Sequence, residues 1–183
     1  MAAPSSSSDA ATALTFEGVY EEHFEFVWRS VRRLGIDDDA MDDVVQEVFL
    51  VVYRRLADFE GRSSVKTWLF GIALRVARTH RRGLARKGGL DPLPPQMADV
   101  DQKGPEAAAS QNEARRMLDR LLGELDEDKR AVFVLSELEQ MTAPEIAEAI
   151  GVKVNTVYSR LRAARTAFEA AVQRQKAKEE RLS

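Results

Sequence analysis

The chain has 183 residues, a length that allows one domain or two small ones. Hydrophobic residues make up 44% and charged residues 31% of it, which is typical of a folded soluble protein. Cysteine is absent and the only histidines are His23 and His80, so disulfides, thiolate chemistry and Cys- or His-rich metal sites are excluded, and a Ser-His-Asp triad is disfavoured. The net charge of −3 is low for a protein that binds nucleic acid tightly by itself, so the local placement of charge matters more than its sum.

The sequence gives no sign of a membrane segment or a targeting signal. No apolar run reaches the length of a transmembrane helix, and the first residues lack the basic and apolar regions of a signal peptide. We therefore expect a cytoplasmic protein with no membrane insertion of its own, no metal and no other cofactor.

Helical hydrophobic patterns fill two stretches of the chain, separated by a segment rich in glycine and proline. Residues 1–15 are rich in alanine and serine and are predicted to form a disordered tail. Four of the six prolines lie in 86–111, which is predicted to be a flexible linker. The sequence thus predicts an all-α protein with two small helical domains, at 16–85 and 112–172, and a polar tail at 173–183.

The first domain begins with two predicted helices, the first over 16–35 and the second opening after three consecutive aspartates. The predicted core positions are Tyr20, Phe24, Val27, Val31 and Leu34 in the first, and Met41, Val44, Val45, Val48, Val51, Val52 and Leu56 in the second. Residues 37–47 contain six acids and no base. Capping and a solvated face explain such acids in one interpretation. In the other they form a docking surface for a basic partner helix, centred on Asp42, Asp43, Gln46 and Glu47.

A third helix is predicted over 65–82, after a turn-rich loop at 58–64. Residues 75–87 hold six bases and no acid, more than the dipole at a helix C-terminus favours, so a phosphate-binding face is the better explanation. Phe70 is predicted to lie in the core. Trp68 suits either the core or the stacking of an unpaired base beside the cations.

The second domain carries the pattern of a helix-turn-helix, preceded by a predicted helix over 112–125 and another capped by Asp126. Residues 142–145 form a capping box, Gly151 stands where a left-handed C-cap is needed, and a new helix begins near 154–156. The second helix of this motif is the candidate for reading a major groove, although many such units bind protein instead. Its outer face offers Asn155, Thr156, Tyr158, Ser159, Arg162 and Arg165.

Three stretches together resemble the bacterial sigma-70 family of RNA polymerase sigma factors, in its extracytoplasmic-function (ECF) type. They lie at 42–49, at 59–73 and at 145–165. Each alone is a weak signal, but their order, their separations and the absence of an extra domain between them make the resemblance specific. It covers 16–82 as sigma region 2 and 112–172 as sigma region 4.

The resemblance implies an alternative sigma factor and not an enzyme, with core RNA polymerase, promoter DNA and an anti-sigma factor as partners. Docking on the polymerase is implied for Asp42, Asp43, Gln46 and Glu47. Melting and reading of the −10 element is implied for Phe59, Arg62, Ser63, Lys66, Trp68, Arg75, Arg78, Arg81 and Arg82. Contact with the −35 element is implied for Asn155, Thr156, Tyr158, Ser159, Arg160, Arg162 and Arg165.

Some positions depart from the family pattern. Arg75 stands where members usually have Asn, Thr79 where they have Asp, and Tyr158 where Lys or Arg is common. The promoter sequence, and the division between base and phosphate contacts, therefore do not follow from the sequence.

The length of the predicted linker sets the reach between the two domains. The residues of 86–111 span up to about 85–90 Å when extended, but only about 25–30 Å as a free coil. Two DNA elements separated by two helical turns lie about 70 Å apart. The sequence therefore predicts a compact free form and an extended form on the polymerase.

Three other classes of function are alternatives. A helix-turn-helix regulator that acts without core polymerase would leave the acids of 37–47 unexplained. A sigma mimic that titrates an anti-sigma factor is disfavoured by the basic helix ends and by the lack of room for a receiver domain. An enzyme is disfavoured because the chain has no cysteine, two isolated histidines and no glycine-rich phosphate loop.

Overall fold

The computed structural model describes residues 14–86 and 105–181, and within these ranges the chain is helical, with no strand. The helices are α1 (Phe16–Arg33), α2 (Asp38–Arg55), α3 (Val65–Arg86), α4 (Pro105–Gly123), α5 (Glu127–Phe133), α6 (Ala143–Ile150) and α7 (Val154–Glu180). A 3-10 turn follows α2 at Leu56–Asp58, and a π-helical turn follows α5 at Val134–Leu138. The all-α prediction is confirmed. Most of the predicted first tail and of the predicted linker lies outside the described residues.

The first unit consists of α1, α2 and α3, and each of these helices packs against the other two. Apolar residues recur three and four positions apart in all three, so each helix turns one stripe toward the common centre. Val27 of α1, Val48 of α2 and Phe70 of α3 are fully buried there. The prediction that Phe70 belongs to the core is confirmed.

The second unit consists of α4 to α7, and the caps of its two short helices, α5 and α6, are those that the sequence predicts. The side chain of Asp126 accepts a hydrogen bond from the backbone N–H of Lys129 (2.9 Å), which caps α5. Thr142 and Glu145 form the predicted capping box of α6. Gly151 ends α6 with φ +71°, a left-handed conformation that glycine adopts without a steric penalty. The turn that follows leads directly into α7, which completes the helix-turn-helix.

The two units pack against each other, mainly through α3 and α6. The helices approach closely at Gly71, where an added Cβ would lie only 2.8 Å from the backbone oxygen of Ala149. Their buried apolar residues form one continuous cluster. The structure thus has a closed arrangement of its described parts, and the extended form stays a prediction.

The core face of α1 differs from the predicted one. Val19, His23 and Phe26 are buried, whereas Tyr20 is 41% exposed. The reason is that α1 packs against both α2 and α3, which covers a wider stripe than one helical face. Tyr20 lies at the edge of that stripe, with its ring centroid 4.7 Å from that of Phe49.

Three helices extend beyond their predicted ends. Helix α3 continues to Arg86, α4 starts at Pro105 and not at residue 112, and α7 continues through the predicted polar tail to Glu180. Proline is favoured in the first turn of a helix, where its missing N–H is not needed. Apart from Ser110, residues 106–111 and 173–180 are alanine, lysine, arginine, glutamine and glutamate, which have high helix propensity. These two segments therefore form helix, although their polar composition is also typical of a linker or a tail.

Candidate polymerase and nucleic-acid interfaces

The four predicted polymerase-docking residues share the outer face of α2. Asp42, Asp43, Gln46 and Glu47 are all exposed, because the opposite face of the helix carries the buried valines of the core. We call these four residues the docking face. The positive end of the helix dipole favours Asp38 and Asp39 in the first turn of α2, whereas the acids of the docking face lie beyond that turn.

An aromatic groove borders the docking face, and the sequence reasoning did not find it. It has a volume of about 680 Å³ between α1 and α2 and includes Asp42 and Gln46 in its lining. Tyr53 (66% exposed) and Leu50 (48%) stand open beside it. The available signal was an aromatic residue at every fourth position of α1 from 16 to 28, a spacing that is usually interpreted as core.

The loop before α3 brings two of the predicted base-capturing residues, Phe59 and Trp68, side by side. The ring centroids of Phe59 and Trp68 are 4.9 Å apart, and both side chains are partly buried. Lys66 is exposed, with its Nζ 5.9 Å from the centroid of Phe26. Trp68 therefore lies at the boundary of the core. This position is compatible both with packing in the core and with stacking on an unpaired base.

The remaining predicted residues of that loop differ in exposure. Arg62 is exposed and pairs with Glu60, whereas Ser63 is partly buried. The start of α3 is fixed by Ser64, whose hydroxyl oxygen accepts a hydrogen bond from the backbone N–H of Thr67 (3.1 Å).

The four predicted phosphate-binding arginines of α3 divide into two pairs. Arg75 and Arg82 are exposed. Arg78 and Arg81 turn toward the second unit, where both form ion pairs with Glu127 at the start of α5. The structure therefore brings only part of the predicted phosphate-binding face to the surface.

On α7, the polar residues predicted to read DNA lie at its N-terminal end. Asn155, Tyr158 and Ser159 are exposed, with Tyr158 at 59%. Thr156 is partly buried, and its backbone oxygen accepts a hydrogen bond from the hydroxyl of Ser159 (3.0 Å). Val157 is fully buried on the opposite face and holds this end of α7 in the core.

The three predicted arginines of α7 have different surroundings. Arg162 is exposed. Arg165 pairs with Glu137 of the π-helical turn, with Nη2 2.7 Å from Oε1. Arg160 pairs with Asp128 of α5, with Nη2 2.6 Å from Oδ2.

Buried charge at the contact between the units was also missed by the sequence reasoning. Arg130 of α5 is 6% exposed, and its burial lowers its pKa from the ordinary value to about 10. Nearby, Arg32 of α1 donates from Nε to the carboxylate of Asp119 on α4 (3.0 Å). Burial raises the pKa of Asp119, and the bond to Arg32 opposes that rise. A single arginine beside an apolar run gives no sequence signal of such a contact.

Within 14–86 and 105–181 no helix is long and apolar enough to cross a membrane. The same described ranges hold no cluster of His, Asp or Glu side chains arranged to bind a metal ion.

Two family models match the two units in order. Sigma-70 region 2 matches residues 19–87, and Sigma-70, region 4 matches residues 115–168. The chain belongs to the sigma-70 family, whose members are transcription initiation factors.

Two individual relatives indicate which type of sigma factor this chain resembles. The RNA polymerase sigma-H factor of Pseudomonas aeruginosa is 31% identical over 145 residues, covering 75% of this chain and 75% of that protein. The ECF RNA polymerase sigma-E factor of Escherichia coli K12 is 33% identical over 146 residues, covering 72% of this chain and 73% of that protein. The chain is thus similar to sigma factors of the ECF type.

Solved structures show the same arrangement of helices. CnrH, in complex with the cytosolic domain of CnrY, superposes with a TM-score of 0.64 at 28% identity, covering 86% of this chain and 87% of CnrH. The sigma factor RpoE of Bartonella quintana, in complex with the anti-sigma factor NepR, gives a TM-score of 0.72 at 18% identity, covering 86% and 96%. The second likeness is one of fold alone.

Proposed function

We propose that this chain is an alternative sigma factor that binds core RNA polymerase, recognises −35 and −10 promoter elements and promotes DNA melting. The observation that carries this proposal is the exposure of two chemically opposite surfaces on separate units. The docking face on α2 is acidic, whereas the outer face of α7 offers Asn155, Tyr158 and Arg162. An acidic surface repels the phosphates of DNA, so a basic protein partner such as polymerase accounts for it better than DNA does.

In this mechanism the docking face anchors the first unit on a basic surface of the polymerase. The N-terminal end of α7 enters the major groove of the −35 element, where phosphate contacts set the register and a few side chains contact bases. A melted −10 base stacks beside Phe59 and Trp68, near Lys66. The arginines of α3 hold the adjoining phosphates. Capture of each unstacked base by an aromatic side chain contributes about 1–3 kcal/mol to melting.

A run-off transcription assay tests the proposal directly. The purified chain is added to bacterial core polymerase on pooled genomic fragments from the source, with a chain-free reaction as control. Discrete new transcripts are expected, and their start sites would define the −35 and −10 sequences. No transcripts together with no binding to core polymerase would overturn the proposal in favour of a polymerase-independent regulator or a sigma mimic.

An anti-sigma factor is proposed as a further partner. The support is the association of CnrH with the cytosolic domain of CnrY, in a structure that this chain resembles over most of its length. A candidate anti-sigma factor titrated into the run-off assay should abolish the new transcripts in a 1:1 ratio. Transcription that persists at saturating candidate would reject that candidate as the partner.

A further inference from the structure

Two carboxylates at the start of α5 hold arginines from both of the proposed DNA-contacting helices. One oxygen of Asp128 lies 2.7 Å from Nη2 of Arg78 on α3. Its other oxygen lies 2.6 Å from Nη2 of Arg160 on α7. The bond to Arg160 lies within the second unit and orients the Asp128 carboxylate toward the first.

Glu127 completes the contact with α3. One of its oxygens accepts a hydrogen bond from Nε of Arg78, and the other lies 3.6 Å from Nη1 of Arg81. The side chains of Arg78 and Glu127 are 27% and 32% exposed, so this contact is partly withdrawn from water. Arg78 is therefore bound by two carboxylates at once, in the same way that a guanidinium binds the paired oxygens of a phosphate.

We propose that Glu127 and Asp128 are an internal phosphate mimic that keeps the free chain closed by occupying Arg78 and Arg81. This inference rests on the proposed function, in which these arginines bind promoter phosphates. The same guanidinium groups cannot bind the α5 carboxylates and DNA together, so closure and DNA binding exclude each other at α3. Exchange of carboxylate for phosphate would accompany the separation of the two units.

The contact is electrostatic and partly exposed, so dissolved salt should weaken it. The Debye length falls from about 10 Å at 0.1 M to about 3 Å at 1 M salt, whereas apolar packing such as that of α3 on α6 is not weakened by screening. Other ion pairs also join the units, among them Arg32 with Asp119 and Arg33 with Glu139. The contribution of Glu127 and Asp128 is therefore the part of the salt dependence that disappears when these two acids are removed.

The test measures the distance between the units in the full chain, without polymerase. Because the sequence contains no cysteine, Ala57→Cys and Gln173→Cys introduce two unique positions for a fluorescent donor and acceptor, one on each unit. The double variant Glu127→Gln/Asp128→Asn removes the mimic. Glu124→Gln/Glu169→Gln is the matched control, because it removes two exposed acids of the same unit away from α3.

The double variant should show a larger open population than the control and a weaker dependence of that population on salt. It should also bind a promoter-like duplex severalfold more tightly than the control in fluorescence anisotropy. In the wild-type chain, added NaCl should increase the open population, which tests closure without any mutation.

Closure that is equally complete and equally salt-dependent in the double variant and in the control would overturn the proposal. So would opening of the double variant with no gain in DNA affinity over the control, because the acids would then hold the units without competing with DNA. The distance measurement needs neither polymerase nor promoter. Failure of the proposed function would be seen instead as the absence of run-off transcripts from the wild-type chain.

Discussion

Arg130 of α5 donates a hydrogen bond from Nη1 to the backbone oxygen of Leu34, the residue that ends α1 (3.2 Å). The next residue is Gly35, with φ +83°, and a Cβ there would lie 1.9 Å from the same nitrogen. The other amino group, Nη2, donates to the backbone oxygens of Gly123 (2.9 Å), the last residue of α4, and of Leu125 (3.2 Å), two residues further on. One guanidinium thus satisfies carbonyls at the ends of two helices, one in each unit.

Replacing this guanidinium tests its role in holding the units. Arg130→Met keeps a long side chain but removes the donors to three carbonyl oxygens, so the free energy of unfolding should fall by about 1–3 kcal/mol. Urea unfolding followed by circular dichroism measures the change. Lys129→Met is the control, because Lys129 makes a surface ion pair with Asp126, a type of contact that contributes about 0–1 kcal/mol. Equal stability of the two variants would contradict the assignment.

Gly71→Ala should open the contact between α3 and α6. The added Cβ would meet the backbone oxygen of Ala149 at 2.8 Å, and a backbone atom inside a helix cannot move aside as a side chain can. We expect a loss of about 1–3 kcal/mol, the usual effect of overpacking, and a longer distance between the units.

The matched control for Gly71 lies on the same helix. Nothing lies within 4 Å of a Cβ built on Gly83, so Gly83→Ala should stabilise α3 by about 0.5–1 kcal/mol through its higher helix propensity. Thermal unfolding and the fluorescence distance between the units measure both variants. An unchanged distance in Gly71→Ala would show that α6 tolerates the methyl group.

Local chemistry explains which parts of the fold were predictable. The capping box at Thr142 and Glu145 and the left-handed Gly151 depend on residues three to four positions apart, so the sequence displays them directly. The position of Arg130 depends instead on Leu34, which is distant in sequence, and no local pattern encodes that pair. The predicted ends of α4 and α7 were wrong for a different reason. The composition of each end segment suits both a disordered tail and a helix.

In the candidate sites too, features set by local spacing were predictable and features set by distant residues were not. The docking face was predictable because its residues alternate with buried valines, and a helical period alone places them outside. The state of Arg78 was not predictable, because its partners Glu127 and Asp128 belong to the other unit. Basic residues at the end of α3 suggest phosphate contacts from the sequence. Of the four arginines predicted there to bind phosphate, Arg78 and Arg81 face carboxylates in the closed arrangement.

Neutralising the docking face should weaken binding to core polymerase without unfolding the chain. Asp43 and Glu47 are exposed, so the double variant Asp43→Ala/Glu47→Ala should retain the wild-type circular dichroism spectrum. Loss of charge pairing with a basic partner should weaken affinity about tenfold or more, which corresponds to about 1.4 kcal/mol. Binding is measured by competition with a labelled wild-type chain. The double variant Glu148→Ala/Glu169→Ala, which changes the net charge equally on the other unit, should bind as wild type does.

Arg162→Ala should weaken binding of the polymerase complex to duplexes that contain the −35 element. Arg162 is exposed beside the polar end of α7, whereas Arg174 lies far along the same helix and pairs with Glu124. If Arg162 contacts a phosphate, its loss should reduce the slope of log affinity against log salt by about 1. If Arg162 contacts a base, the variant should lose its discrimination between base pairs at one position of the −35 element. Arg174→Ala should change neither quantity, and equal affinities of the two variants would remove Arg162 from the interface.

His23 should make the stability of the first unit depend on pH. The His23 side chain is 6% exposed, on the face of α1 that packs into the unit. Desolvation lowers its pKa from the ordinary value of 6.5, although Glu22 opposes this shift. Between the lowered pKa and 6.5 the unfolded chain binds more protons than the folded chain, so the free energy of unfolding rises with pH across that window. Stability is therefore expected to fall as pH decreases from 7.5 to 5.5. His23→Gln should flatten the dependence and His80→Gln should preserve it, as measured by urea unfolding at each pH. Equal pH profiles for the two variants would assign the effect to other groups.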